Sequence, residues 1–218
     1  MASIRCWRCA AIQPPAFFCT RCEAVQALPQ GTDYLAVLGF PQHPAIDGAE
    51  LDRRYYGLSR KLHPDRFQTG NDEEQRASVQ ATALLNTAHR TLREIESRGR
   101  YWLERCGEDL GRDNNRVPQQ LAAYVFDVQE KLGELRGGAN GATATLRSEL
   151  AETQLELAER RERDRAALDA LLRGWPAGDA ATSGSERATA VRELKALLSQ
   201  LSYLRTLDRD LQNALEAV

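Results

Sequence analysis

Apolar residues recur at helical spacing through most of the 218-residue chain after residue 31, and strand-like alternation is nearly absent there. Glycine and proline interrupt this pattern in five stretches: 39–44, 68–71, 107–118, 137–141 and 174–184. The sequence therefore predicts an all-α fold in three parts. These are a cysteine-rich knuckle over 1–31, a short-helix region over 32–106 and a long-helix region over 117–218. We expect no internal repeat.

Composition and charge exclude several classes of protein. The 29 basic residues are balanced by 31 acidic residues, which gives a net charge of −2 and no support for a nucleic-acid partner. No apolar run approaches the roughly 20 residues that a membrane helix needs. The first residues lack the apolar stretch of a signal peptide. We therefore expect a cytoplasmic protein of a bacterium, with the mitochondrial matrix as the alternative, and no membrane partner.

Four cysteines lie within the first 22 residues, as two C-x2-C pairs with nine residues between them. The pairs are Cys6-Trp-Arg-Cys9 and Cys19-Thr-Arg-Cys22. Each pair can bind one ion from a tight turn, and together they supply the four sulfur ligands that Zn²⁺ prefers. A closed site of this kind is structural and has no open position for catalysis. A redox-active dithiol and a rubredoxin-like iron site remain as alternatives.

Two amphipathic helices are predicted in the short-helix region. The first begins after Asp47 and ends by His63, since Pro64 disfavours helical geometry at the residue before it. The second begins after Asn71. Their predicted buried stripes are Leu51, Tyr55, Leu58 and Leu62, and then Ala77, Ala81, Leu84, Ala88 and Leu92. Helices joined by so short a loop pack antiparallel, with His63-Pro64-Asp65 at the start of the loop.

This arrangement resembles the J domain of co-chaperones for DnaK-type ATPases. The resemblance covers Tyr34 to about Leu103 and includes the basic residues before and after the His-Pro-Asp tripeptide. It implies that one set of residues contacts the chaperone: His63, Pro64, Asp65, Arg53, Arg54, Arg60 and Lys61. The basic members of the set would meet an acidic chaperone surface and speed the encounter. The alternative is an ordinary solvated helix face.

Three helices are predicted in the long-helix region, over 118–136, 141–173 and 186–216. The predicted seam of the first is Leu121, Val125, Val128, Leu132 and Leu135. The predicted seam of the last is Val191, Leu194, Leu198 and Leu201. Phe126 falls roughly 140° from Leu121, and Tyr203 falls roughly opposite Leu194. Two aromatic residues outside the seams indicate a partner surface.

A closer resemblance, to HscB-type co-chaperones of iron–sulfur cluster assembly, spans almost the whole chain. It rests on the J-domain pattern, on Phe126-Asp-Val-Gln-Glu-Lys-Leu132, on Gln200-Leu-Ser-Tyr-Leu-Arg-Thr-Leu207 and on the N-terminal cysteine knuckle. The resemblance implies that the bundle binds an IscU-type scaffold protein. The implied client-binding residues are Phe126, Asp127, Glu130, Glu134 and Tyr203. The chain departs from the family at Ala122 and Ala123, where larger apolar residues are common.

The sequence thus favours a binding protein that delivers a scaffold to a DnaK/HscA-type chaperone and stimulates its ATPase. A J-domain protein for an unrelated client is the first alternative. A nucleic-acid-binding zinc module would rest only on Arg5, Arg8 and Arg21. An enzyme is not expected, because the histidines have no catalytic partners and no phosphate-binding glycine loop is present. Cys106 is predicted to be a small buried apolar residue.

Overall fold

The computed structural model of the protein describes residues 3–111, 117–136, 143–176 and 184–216. The chain divides into two compact units, residues 1–98 and 99–218. Two short strands and seven α-helices occur in the described residues: β1 (Ile4–Arg5), β2 (Ile12–Gln13), α1 (Tyr34–Val37), α2 (Gly48–Leu62), α3 (Asp72–Arg93), α4 (Ile95–Arg105), α5 (Ala122–Arg136), α6 (Thr143–Arg173) and α7 (Gly184–Glu216). None of the described helices is long and apolar enough to cross a bilayer.

The first unit contains the cysteine knuckle and a helical hairpin made of α2 and α3. The predicted helix starts are confirmed, because the side chain of Asp47 caps α2 at the Ala49 amide and that of Asn71 caps α3 at the Glu74 amide. The predicted stripe of α3 was wrong at one position: Leu85 is fully buried, whereas Leu84 is only half-buried. The buried residues Ala81 and Leu85 of α3 are therefore four positions apart, on the side of α3 that faces α2.

The second unit is built on the long antiparallel pair α6 and α7. All five predicted seam residues of α5 are buried against the N-terminal half of α6 and the C-terminal half of α7. At the other end of the pair, a Cβ on Gly99 of α4 would lie only 3.1 Å from Leu198 Cδ2 and 3.5 Å from Leu168 Cδ1. Because Gly99 has no side chain, α4 can pack this close to α6 and α7. Cys106 is half-buried rather than buried, and burial raises the pKa of its thiol.

The buried side of α7 rotates along the helix. Leu194 and Leu198 are buried in its first half, and Leu204, Leu207 and Leu211 in its second half. From Leu198 to Leu207 the buried residues of α7 are three positions apart. Three residues turn about 300°, which is about 60° less than a full turn, so the buried side shifts around the helix. In the first half the predicted seam was wrong by one residue, since Ala190 is buried and Val191 is half-buried.

The predicted ends of the bundle helices at 136, 173 and 216 agree with the structure, but the first of these helices begins at Ala122 rather than at 118. A short 3₁₀ turn over Gln119–Leu121 precedes α5, and α7 begins two residues earlier than predicted. The predicted loops over 137–141 and 177–184 lie outside the described residues, except that Gly184 is described and begins α7. The predicted start of the second bundle helix at 141 also lies outside the described residues.

Candidate functional site

The His63-Pro64-Asp65 loop begins where α2 ends. His63 is in an extended conformation, and a 3₁₀ turn over Pro64–Phe67 follows it. The imidazole Nδ1 of His63 accepts a hydrogen bond from the Asp65 amide at 3.3 Å. The side chains of His63 and Asp65 are 56% and 71% exposed, so the loop presents both groups to solvent.

Two hydroxyl groups of α3 hold the start of this loop in place. The buried Ser78 hydroxyl donates to the carbonyl of Leu62 at 2.6 Å, and the Thr82 hydroxyl donates to the same oxygen at 3.0 Å. The last carbonyls of a helix lack partners within that helix, so these bonds satisfy a group that would otherwise be buried unpaired. The end of α2, and with it the tripeptide, is thereby fixed against α3.

The four predicted basic contact residues of α2 fall into two groups. Arg53, Arg60 and Lys61 are exposed. Arg54 instead points back to the end of α1, where its guanidinium donates to the carbonyls of Leu38 and Gly39 and lies 4.3 Å from the ring centroid of Phe40. Gly39 closes α1 with a φ of +73°. The structure thus gives Arg54 a structural role that helical spacing alone did not reveal.

A charged brace joins α2 to α3 on the side of the hairpin. Asp52 Oδ1 lies 2.8 Å from Nε2 of His89 and 3.3 Å from Nε of Arg93. Tyr55 stacks on the His89 ring with 4.1 Å between centroids. The hydrogen bond from His89, and then the charge of Arg93, hold the pKa of Asp52 below its usual value.

We expect this brace to weaken in acid. A carboxyl group whose pKa is lowered by folding stabilises the folded state above its unfolded pKa of about 3.9, and this stability is lost as pH falls through the lowered value. Wild type should therefore exceed Asp52→Asn in unfolding free energy at neutral pH, and the gap should close in acid. Urea titrations followed by NMR signals of α2 and α3, at several pH values, measure the gap. A gap independent of pH would contradict the assignment.

The predicted client-binding face of α5 carries an exposed aromatic residue among acids. Phe126 is 72% exposed, and Asp127, Glu130 and Glu134 are exposed beside it. Asp127 forms an ion pair with Lys131 at 3.1 Å, and this hydrogen bond raises the pKa of Lys131. Ala122 and Ala123 are exposed on the same helix. This face of α5 therefore presents one large apolar side chain among negatively charged side chains.

Tyr203 differs from Phe126 in its burial. The prediction that it lies outside the seam was wrong, because Tyr203 packs partly against the core formed by α5, α6 and α7. It is only about 40° from the buried Leu207 around the helix axis. The predicted angle refers to Leu194, which lies in the first half of α7, where a different side of the helix is buried. Burial also raises the pKa of Tyr203.

The four cysteines of the knuckle come together as predicted. Their sulfur atoms lie within 4.8 Å of one another, with Cys6 Sγ 3.7 Å from Cys22 Sγ and Cys9 Sγ 3.7 Å from Cys19 Sγ. Tetrahedral zinc with bonds of about 2.3 Å would place its sulfur ligands about 3.8 Å apart. The donor set and its spacing therefore fit a tetrahedral metal ion.

The prediction that the chain has no internal repeat was wrong. Residues 5–13 and 18–26 form two copies of one hairpin, offset by 13 residues. Arg5 pairs with Ile12 in the first copy and Phe18 with Val25 in the second. The backbone of the two copies is also equivalent. Ala10 and Glu23 both have a positive φ, and the amides of Cys6 and Cys19 donate to the carbonyls of Ala11 and Ala24. The amides of Arg8 and Arg21 donate to the sulfurs of Cys6 and Cys19.

The repeat reveals two residues that the cysteine spacing alone did not indicate. Gln13 and Gln26 each lie four residues after the second cysteine of their copy, and both are buried. Each reaches the other copy: Gln13 accepts a bond from the Thr20 amide at 2.8 Å, and Gln26 Nε2 lies 3.4 Å from Cys6 Sγ. The shared pattern C-x-R-C-x-A-[I/V]-Q is the signal that could have identified them.

The ionisation of Cys6 and Cys22 is altered by their surroundings within the cysteine cluster. Burial raises the pKa of Cys6, but the backbone amides of Cys9 and Arg8 outweigh it and lower this pKa to about 6. The Ala24 amide lowers the pKa of Cys22, but burial and the neighbouring thiols together raise it to about 12. Four thiolates this close repel one another, and a bound divalent ion supplies the charge that lets all four ionise.

Comparison with known proteins extends these observations. No family model matches the chain. The human protein named iron-sulfur cluster co-chaperone protein HscB is 32% identical over 140 residues, which are 62% of this chain and 60% of that protein. An HscB homolog of Chromobacterium violaceum is 28% identical over 129 residues, which are 57% of this chain and 74% of that protein. The chain thus spans about three fifths of the length of its human relative.

Solved structures agree in fold. The crystal structure of human HscB matches with a TM-score of 0.68 at 24% identity, covering 96% of this chain and 98% of that one. HscB from Vibrio cholerae matches with a TM-score of 0.57 at 19% identity, covering 85% of this chain and 99% of that one. The predicted all-α fold and the resemblance stated from the sequence are therefore confirmed.

Proposed function

We propose that this chain, a homologue of the HscB co-chaperones, is a J-domain co-chaperone in iron–sulfur cluster assembly. It would bind an IscU-type scaffold protein and deliver it to a DnaK/HscA-type chaperone, whose ATPase it would stimulate. The J domain would occupy 32–106 and the client-binding bundle 117–218, with the metal knuckle at 1–31. The chain would be a binding protein, and the bond-breaking chemistry would belong to the chaperone.

One observation carries the chaperone half of the proposal. The His63-Pro64-Asp65 tripeptide is held at the end of the α2–α3 hairpin by bonds to the Leu62 carbonyl, yet its two ionisable side chains face solvent. A recognition element fixed before binding loses little conformational freedom on association. The exposed Arg53, Arg60 and Lys61 would steer the loop towards an acidic surface. Arg54 would support this face by holding α1 rather than by direct contact.

The client half rests on the exposed face of α5. Aromatic side chains are enriched in the apolar core of interfaces, and a polar rim surrounds that core. Phe126 would insert into an apolar pocket of the scaffold, while Asp127, Glu130 and Glu134 would pair with basic groups around it. Tyr203 would contribute the part of its ring that the bundle leaves exposed.

We expect Phe126→Ala to weaken scaffold binding by more than about 1 kcal/mol, or roughly fivefold, because truncation removes the apolar anchor. Isothermal calorimetry against an apo scaffold protein measures the change. Leu155→Ala is the matched control, since Leu155 is 69% exposed on α6 and lies outside the proposed set. Equal affinity of wild type and Phe126→Ala would place the client elsewhere, and no binding by wild type would favour an unrelated client.

The knuckle would hold Zn²⁺ through Cys6, Cys9, Cys19 and Cys22, as a structural ion. The four sulfurs leave no ligand position open, so the ion would stabilise the fold of the N-terminus and take no part in a reaction. Iron in the same ligand set is the alternative that metal analysis of the purified protein distinguishes. We place the protein in the cytoplasm of a bacterium, with the mitochondrial matrix as the alternative.

A further inference from the structure

We propose that Gln26 is a positioning residue of the metal centre, whose side-chain amide donates a hydrogen bond to the metal-binding sulfur of Cys6. This inference rests on the proposed metal site. It goes beyond the four ligands, because it assigns a role to a buried side chain that binds no metal itself. Hydrogen bonds of this outer kind orient metal ligands and tune their basicity.

The surroundings of Gln26 determine the orientation of its amide. Its nitrogen Nε2 lies 2.8 Å from the carbonyl oxygen of Ala24 and 3.1 Å from that of Val25. Carbonyl oxygens only accept hydrogen bonds, so the NH₂ end of the amide must face them. The same nitrogen lies 3.4 Å from Cys6 Sγ. An NH₂ group can only donate to this sulfur, and because it has two hydrogens for three acceptors, one hydrogen is shared in a bifurcated bond. The sulfur form that accepts best is a thiolate, which is the form that binds metal.

Burial makes this bond consequential. Gln26 is only 2% exposed, and Cys6 is only 1% exposed. Away from water, a hydrogen bond to a charged sulfur is stronger, and its loss is not compensated by solvent. The Arg8 amide is a second donor to the same sulfur, also at 3.4 Å. Cys6 therefore receives backbone donors from its own hairpin and a side-chain donor from the other copy of the repeat.

The repeat supplies an internal control. Gln13 occupies the equivalent position in the first copy and is 4% exposed. Its amide oxygen accepts from the Thr20 amide at 2.8 Å, and its nitrogen donates to the carbonyl of Phe18 at 3.3 Å. It thus braces the second hairpin through the backbone of Phe18 and Thr20 and the Thr20 hydroxyl, whereas Gln26 donates to a proposed metal ligand. The two residues share burial and position but differ in whether the amide bonds to a sulfur.

Substitution separates these two roles. In the full chain loaded with Co²⁺, Gln26→Leu should move the sulfur-to-metal charge-transfer band to lower energy, because the sulfur lone pairs lose a stabilising donor. It should also weaken metal binding by about 10- to 100-fold. Gln13→Leu should leave the band at its wild-type position even where it lowers stability. An unchanged band in Gln26→Leu, or equal shifts in both variants, would overturn the proposal.

Wild-type protein offers a test that needs no substitution. With ¹¹³Cd in the site, the side-chain amide protons of Gln26 should show scalar coupling to the metal through Cys6 Sγ, and those of Gln13 should show none. Absence of coupling at Gln26 in a fully loaded protein would overturn the proposal. Failure of wild type to bind Co²⁺ or Cd²⁺ at all would instead refute the metal centre on which the proposal rests.

Discussion

His63→Gln is expected to reduce stimulation of a DnaK/HscA-type ATPase to the basal rate while scaffold affinity stays at the wild-type value. The imidazole is 56% exposed, and its Nδ1 contacts the backbone amide and the carboxylate of the nearby Asp65, so its replacement leaves the hairpin core intact. The proposed scaffold-binding residues Phe126 and Tyr203 lie far along the chain. Chaperone ATPase rates and scaffold calorimetry, measured on the same preparation, separate the two effects.

The chain contains a matched control for this substitution. His43 also precedes a proline, and its Nδ1 accepts a bond from the Ala45 amide at 3.1 Å, as His63 Nδ1 does from Asp65. His43→Gln therefore removes the same kind of turn bond outside the predicted chaperone contact. It should keep full stimulation. Loss of stimulation in His43→Gln, or its survival in His63→Gln, would show that the tripeptide lacks the role assigned to it.

Removal of the metal is expected to unfold the knuckle and leave the helices folded. The knuckle has two strands of two residues each and a small cluster of Cys6, Cys19 and Ala24 with their half-buried neighbours, and Phe17 and Val25 are its other buried apolar residues. So small an apolar cluster cannot offset the entropy of ordering the chain. Binding of structural zinc contributes roughly 10–16 kcal/mol in comparable small domains. The α2–α3 hairpin and the bundle have leucine-rich cores of their own.

NMR spectra of the chelated protein test this expectation. Signals of residues 3–26 should move to unfolded positions, while those of α2, α3 and α7 keep their wild-type shifts. Restoring Zn²⁺ should return the knuckle signals, which excludes damage from the chelator. A knuckle that keeps its native signals after metal analysis shows it to be empty would contradict a structural role for the ion.

Local and periodic features of the fold could be predicted from the sequence. The caps at Asp47 and Asn71, the stop before Pro64 and the seam of α5 each depend on residues close together in the chain. The cysteine site was predictable for the same reason, because its ligands lie within 22 residues and their spacing restricts the geometry. Such features need no knowledge of how distant segments pack.

The predictions that were wrong concern side chains whose burial depends on packing against distant segments of the chain. Leu85 replaces Leu84 in the core because α3 faces α2, and Tyr203 is half-buried because the buried side of α7 rotates between its two halves. Arg54 turns towards α1, 15 residues earlier in the chain, instead of towards solvent. The role proposed for Gln26 could be inferred only from its contact with Cys6 in the structure, although the repeat that contains Gln26 is visible in the sequence.

In the proposed function, this one chain links a scaffold client to a DnaK/HscA-type chaperone. The most direct test is the steady-state ATPase rate of such a chaperone with the scaffold alone, with this protein alone and with both. We predict that the two together raise the rate by more than the sum of their separate effects, because the bundle delivers the client while the J domain promotes hydrolysis. A rate that this protein leaves unchanged, or that only adds the separate effects, would contradict the claim.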